Sequence, residues 1–294
     1  MARVTLDPTL DVIFKLLFAH ERNRDILISF LTAVLKPLSP VASVEILNPE
    51  VPSLDQLSRR VILDIHVRFE DGSHVVVEMQ AHRKGTEAQR VLCYWGRVYS
   101  DQLPAGGDYK QLRAVLCIVV LGFSVFDQPR FHKTFRVLEV HDHEEFSKNL
   151  EIHTLELPKL EHPTPDTDDE AVLDWGRFFA AQSDEELEIL AMNNPDLARA
   201  NEALHTLSAD PKARELARAR ELAEWEYQAG LELAKAEGEA RGKAEGLRDR
   251  IQHYCERFGI ELTDARQDIL AKATVDELRQ LMDAVVVDRK WPAE

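Results

Sequence analysis

The chain has 294 residues, 45% hydrophobic and 30% charged, with a formal net charge of −16. That apolar content can bury one large core or two ordinary ones, which excludes a disordered chain. Three widely spaced cysteines (Cys93, Cys117, Cys255) with no CxxC pair exclude a disulfide framework. They argue against structural zinc and for a reducing, cytoplasmic setting. The acidity is uneven. Residues 1–137 hold 17 Lys and Arg against 15 Asp and Glu, and residues 138–294 hold 19 against 37. The first half is therefore free to meet a phosphate backbone.

The opening residues, MARVTLDPTLDVIFKLLF, lack the basic, apolar and small-residue order of a secretion signal. Residues 9–35 carry apolar side chains at helical spacing, with Asp7-Pro8 as a start, Lys36-Pro37 as a stop, and HERNRD as a break. Residues 41–47 suit a strand, followed by a loop with Pro49 and Pro52. Residues 59–69 and 73–80 alternate as two strands of a hairpin. Residues 86–103 form an amphipathic helix ended by Pro104 and Gly106-Gly107. The segment AVLCIVVLGFSVF (114–126) is too short and too β-branched to span a membrane. Its first part, within 112–121, is apolar on both faces, as a buried parallel strand requires. Weaker strands follow at 133–140 and 150–157. A Pro- and Asp-rich linker occupies 158–169, and the rest reads as helix, with 211–258 as one long element. Within it Gly230, Ala234, Gly238, Gly242 and Gly246 recur every four residues. Two readings stand: a close helix–helix contact, or a solvated helix with loosened turns.

The hairpin LDIHVRFEDGSHVVVEMQ (63–80) sets the functional question. Its apolar residues share one face only if Glu70-Asp71-Gly72 forms a three-residue loop with Gly72 left-handed. Phe69 then faces Ser73, Val67 faces Val75, Ile65 faces Val77, and Asp64 faces Glu78. Opposed carboxylates, with Cβ atoms roughly 5 Å apart, repel unless one is protonated or a cation lies between them. Mg²⁺ or Mn²⁺ suits such hard oxygens. The competing reading is a solvated polar face neutralised by Arg68 and His66.

An acid on one strand, a turn, then Glu-x-Gln on the next resembles the PD-(D/E)XK nuclease core, whose helix, antiparallel strands, helix and parallel strand follow the order read above. More narrowly, the chain resembles the Rpn family of recombination-promoting nucleases, also labelled PD-(D/E)XK family transposases. The matching segments are DVIFKLLF (11–18), ILDIHV (62–67), VVVEMQ (75–80) and the helix with Arg90, Tyr94, Trp95, Arg97 and Tyr99. The resemblance covers roughly residues 7–140 and implies an α/β core, a mixed β-sheet flanked by helices, which the linker composition bounds at 1–160. A C-terminal helical tail over 161–294, oligomerising or regulatory, would follow. It implies that Asp64, Glu78 and the Met79 carbonyl bind Mg²⁺ (or Mn²⁺), with Asp11 either completing the site or serving only the N-terminus of its helix. Gln80 stands where the superfamily has Lys, and Gln can only hydrogen-bond. The implied activity is metal-dependent hydrolysis of DNA phosphodiesters, tied to recombination or mobile elements.

Arg83, Lys84, Arg90, Tyr94 and Arg97 follow the acids. They read either as phosphate contacts or as a helix that packs its aromatic residues inward and solvates its arginines. Arg59 and Arg60 are weaker candidates. His66 and His82 lie near enough to assist proton transfer, although a surface role suits each as well. The run His141-Asp142-His143-Glu144-Glu145 reads as a solvated polar turn before a metal site. No GxGxxG, GxxxxGK[ST], GxSxG or HExxH occurs. Besides the nuclease, a second function class fits these residues: a nuclease-like DNA-binding or assembly module with little catalysis.

Overall fold

The computed structural model describes residues 4–37, 41–47, 64–161 and 169–292, in two compact units, 1–222 and 223–294. In the first unit, DVIFKLLF winds into α1 (Asp11–Phe18). A 3₁₀ turn (Glu21–Asn23) separates it from α2 (Arg24–Leu35), so the polar run HERNRD does break the helical segment. Lys36 ends α2 in the left-handed conformation before Pro37.

Among the described residues, six strands form one mixed sheet: β1 (Val44–Ile46), β2 (Ile65–Phe69), β3 (His74–Gln80), β4 (Val115–Leu121), β5 (His132–Leu138) and β6 (Glu145–Glu156). Their order is β1-β2-β3-β4-β6-β5. The first three run antiparallel, β3, β4 and β6 run parallel, and β5 returns antiparallel on β6. The hairpin has the register its alternation demands. Ile65 faces Val77 and Val67 faces Val75, Phe69 N–H donates to Ser73 O (2.9 Å), and Gly72 closes the loop at φ +85°. The expected first turns of that strand, with Arg59 and Arg60, lie outside the described residues, as do Pro49, Pro52 and residues 162–168 of the linker. β6 starts five residues earlier than the sequence pattern placed it. Its first half pairs with β5 at the sheet edge, where exposed polar side chains on both faces erase the apolar alternation.

The alternation of β3 and β4 sends side chains to two different cores. Val76, Cys117 and Val119 meet Val91 and Val98 of α3 (Glu87–Ser100) on one face. Val75, Val77, Ile118 and Val120 meet α1 and α2 on the other. On that second face Phe14, Phe18 and Phe30 pack against Trp175 and Phe179 of α4 (Glu170–Ala180), with ring centroids 5.5–5.9 Å apart. The same core takes in α5 (Asp184–Asn193), α6 (Pro195–Ala209) and the opening turns of α7 (Pro211–Phe258) through Leu187, Leu197, Leu204 and Leu216. Packing therefore groups the chain differently from a division at residue 160. The helices up to residue 222 cover an aromatic face of α1 and α2 that composition alone assigned to a separate tail.

The second unit holds the rest of α7, α8 (Asp264–Lys272) and α9 (Val275–Asp283), around Ile251, Cys255, Leu270, Leu278 and Val285. Thr274 and Glu277 cap α9 reciprocally. A Cβ added at Gly230, Gly238, Gly242 or Gly246 meets nothing within 4 Å, so these glycines serve no close contact among the described residues. Among the described residues no helix is long and apolar enough to cross a membrane.

Candidate active site

The ladder pair Ile65–Val77 brings the preceding residue, Asp64, beside the following one, Glu78. The Asp64 main-chain N–H donates to Glu78 Oε1 (3.3 Å), and the Met79 N–H donates to Asp64 Oδ2 (2.6 Å). Both carboxyls thus sit at the open end of the hairpin, where β2 has yet to begin and β3 is about to end. Glu78 is 3% exposed. Burial first, and the Asp11 charge second, push Asp64 from 3.8 up to about 7. Burial and the Asp64 charge hold Glu78 well above the usual carboxylate range. The N–H bond from Met79, and the charges of Lys15 and Arg90, offset only part of this at Asp64.

α3 contributes Arg90, whose Nη2 lies 3.9 Å from Glu78 Oε2. Tyr94, one turn on, accepts from Arg90 Nε and Nη2 (3.3 and 3.1 Å) and fixes the guanidinium. From α1, Asp11 adds a third negative charge that raises both acids. Asp11 accepts from its neighbour Val12 N–H (2.7 Å) and forms a two-pronged pair with Arg220 of α7 (Nε–Oδ1 2.8 Å, Nη2–Oδ2 2.7 Å). Lys15, one turn after Asp11, is 3% exposed and attracts Asp64. Sequence reasoning passed over Lys15 and Arg220. The signal for the first was a lone charge inside the apolar run VIFKLLF. The second has no local signal, because 209 residues separate it from Asp11.

Gln80 ends β3 on the same face as Glu78. It is 5% exposed, and neither its amide oxygen nor its amide nitrogen has a hydrogen-bond partner among the described residues. A buried amide without partners is costly, so this position is shaped for something polar that the described residues do not supply. The Met79 N–H points at Asp64, and a strand residue sends its N–H and C=O out by the same edge. Its carbonyl therefore leaves toward the two acids. Among the described residues no three His, Cys, Asp or Glu side chains gather as a ready-made metal site. The donor set is instead two carboxylates and one main-chain carbonyl, an arrangement of hard oxygens that fits a divalent cation retaining several waters.

The other expected residues spread apart. Arg83 and Lys84 are exposed between β3 and α3. There the Lys84 N–H donates to Glu87 Oε1 (2.6 Å), and the Arg83 charge helps lower Glu87. Arg97 is exposed and pairs with Asp101 (3.7 Å). It lies two turns from Arg90, outside the cluster of acids. His66 bonds His74 (Nε2 to Nδ1, 2.9 Å), and burial drives it down to about 4, so it stays neutral near pH 7. His82 is exposed. The HDHEE run is an exposed turn in which Glu139 accepts the His141 and Asp142 N–H groups.

A mixed sheet in this strand order, covered by helices on both faces and ending in paired acids at the β2–β3 hairpin, defines an α/β domain of the PD-(D/E)XK nuclease type. The chain belongs to the PD-(D/E)XK nuclease family transposases, whose family model matches residues 8–234. No curated protein and no solved structure matches it significantly.

Proposed function

We propose that this protein is a DNA endonuclease dependent on Mg²⁺, with Mn²⁺ as a substitute, that acts in the cytoplasm on recombining or mobile DNA. The observation that carries the reading is the pair of a half-buried Asp64 and a buried Glu78 beside it, both pushed toward neutrality. Such a pair is unfavourable unless a cation completes it. Membership of a nuclease family supports the same reaction class.

In this reading Asp64, Glu78 and the Met79 carbonyl hold the ion. Once bound, it lowers the pKa of a water and neutralises charge developing on the phosphate. The remaining work belongs to the chain. Arg90, oriented by Tyr94, faces the scissile phosphate from α3 and donates to its oxygens. The Gln80 amide holds the attacking water or a phosphate oxygen without taking up a proton. Asp11, held by Arg220, adds to the negative field that favours a dication. Arg83, Lys84 and Arg97, outside the cluster, follow the backbone on either side of the cut and make binding salt-dependent.

The test is cleavage of a labelled DNA duplex by Asp64→Ala and Glu78→Ala, with folding checked by circular dichroism. The reading expects both to lose at least about a hundredfold in rate, as when a group bound to the reacting centre is removed. Unchanged cleavage in both variants overturns it. A second reading is favoured by Gln80 in place of Lys: a nuclease-like DNA-binding module with weak catalysis. Salt-dependent binding with no cleavage in any metal would select it.

A further inference from the structure

Hydrolysis of a phosphodiester moves protons at both ends. A water gives one up as its oxygen bonds to phosphorus, and the leaving oxygen departs with the electron pair of the broken bond. As an alcohol that oxygen has a pKa near that of water, about 15.7, so it departs slowly unless a proton reaches it. Tyr94 has the geometry to supply one. It lies on the face of α3 turned to the sheet, 5% exposed, one turn from Val91 and one from Val98. A hydroxyl has two lone pairs and one proton. Arg90 Nε and Nη2 occupy the lone pairs (3.3 and 3.1 Å), and no described residue accepts the proton. A guanidinium has no acceptor, so the O–H cannot turn back on Arg90. The hydroxyl sits within the field of Glu78 and Asp64, and Arg90 Nη2 is 3.9 Å from Glu78 Oε2. Burial raises the phenol above its ordinary value, so it carries its proton at neutral pH.

The other proton carriers nearby are committed elsewhere. Arg90 does not give up a proton near neutral pH. His66 is bonded to His74 and stays neutral, and His82 is exposed. Lys15 acts on Asp64 from α1, which covers the opposite face of the sheet from α3. We propose that Tyr94 is the general acid of cleavage, giving its Oη proton to the leaving oxygen of the phosphodiester, an assignment that rests on the nuclease reading. The P–O bond breaks, its electron pair goes to the leaving oxygen, and that oxygen takes the Tyr94 proton and departs as an alcohol. The phenolate keeps both N–H bonds from Arg90, now charge-assisted. It regains a proton from solvent, which has received the one lost by the attacking water. The guanidinium retains three further N–H groups for phosphate oxygens.

The test compares the full chain with Tyr94→Phe in single-turnover cleavage with Mn²⁺. The substrates are duplexes of one sequence, either unmodified or with the 3′ or the 5′ bridging oxygen of one central link replaced by sulfur. A thiol has a pKa of about 8.5, so a thiolate leaves without being protonated. Tyr94→Phe slows cleavage of the unmodified link by about a hundredfold or more, as loss of a general acid does. On the duplex whose sulfur is the leaving atom, the variant comes within about threefold of wild type. The ratio of these rates within one preparation is independent of the fraction folded, so a loss of stability does not imitate the result. Equal slowing on every duplex leaves Tyr94 with the orientation of Arg90 alone and overturns the proposal. Full activity of Tyr94→Phe on the unmodified duplex overturns it too. A wild type that cuts none of the duplexes overturns the nuclease reading and the proposal together.

Discussion

In metal-free protein at pH 8, Asp64→Asn makes the fold more stable, although it removes a residue of the proposed site. Burial and Asp11 raise the Asp64 carboxyl from 3.8 to about 7. A raised acid binds its proton more tightly in the folded chain, so ionisation works against folding. The penalty is absent below the unfolded value, grows from about pH 4 to about pH 7, and is complete above that. A shift of about three units corresponds to about 4 kcal/mol, and partial exposure together with the proton shared with Glu78 reduces it to about 2–3 kcal/mol. Asparagine keeps the oxygen that accepts the Met79 N–H, so that bond survives. The assay is urea unfolding in EDTA at pH 8 and at pH 4.5, where the gain shrinks to about 1 kcal/mol or less. Mg²⁺ at pH 8 raises the stability of wild type and leaves the variant nearly unchanged. A variant no more stable than wild type at pH 8, or equally favoured at both pH values, refutes the reasoning.

Trp175→Ala destabilises by about 3–5 kcal/mol in urea unfolding, because its indole sits at 2% exposure among Phe18, Phe30 and Phe179. For the same reason a chain ending at residue 160 fails to unfold cooperatively. Gly72→Val costs about 1–2 kcal/mol by the same measurement, since φ is +85° and a Cβ meets Arg113 Cγ at 3.2 Å. Arg220→Gln leaves Asp11 without its two-pronged partner. It destabilises by about 1–3 kcal/mol in the same urea unfolding, because a half-buried carboxylate loses its guanidinium. Gln80→Lys places a cation beside the two acids, lowers both carboxyls toward their ordinary range and raises the cleavage rate by about tenfold or more, read as single-turnover cleavage against pH.

The hairpin was the most legible part of the chain, because strand alternation has a period of two and admits one register. Three consequences of that register follow from the residues alone: the Gly72 turn, the apolar face, and Asp64 beside Glu78. The break at HERNRD and the full length of α7 were readable too, one from a polar interruption and one from its many Ala, Glu, Lys and Arg residues. The first half of β6 was not, because both of its faces are wet. The partners of the site were hidden in a different way. Arg90 and Tyr94 announce themselves at helical spacing. Arg97 shares that spacing yet turns to solvent beside Asp101, since two turns of helix carry it past the acids. Arg220 belongs to a helix that composition assigned to a separate acidic tail. Only the aromatic core shared by α1, α2 and α4 shows why its first turns stay with the sheet.

The central claim is that the opposed acids of the β2–β3 hairpin form a metal-dependent nuclease site. Incubating the purified chain with supercoiled plasmid in Mg²⁺, in Mn²⁺ and in EDTA, beside Asp64→Ala, tests it most directly. The account predicts nicking that needs the metal and disappears in the variant. Nicking that persists in EDTA or in Asp64→Ala, or no nicking under any of these conditions, contradicts it.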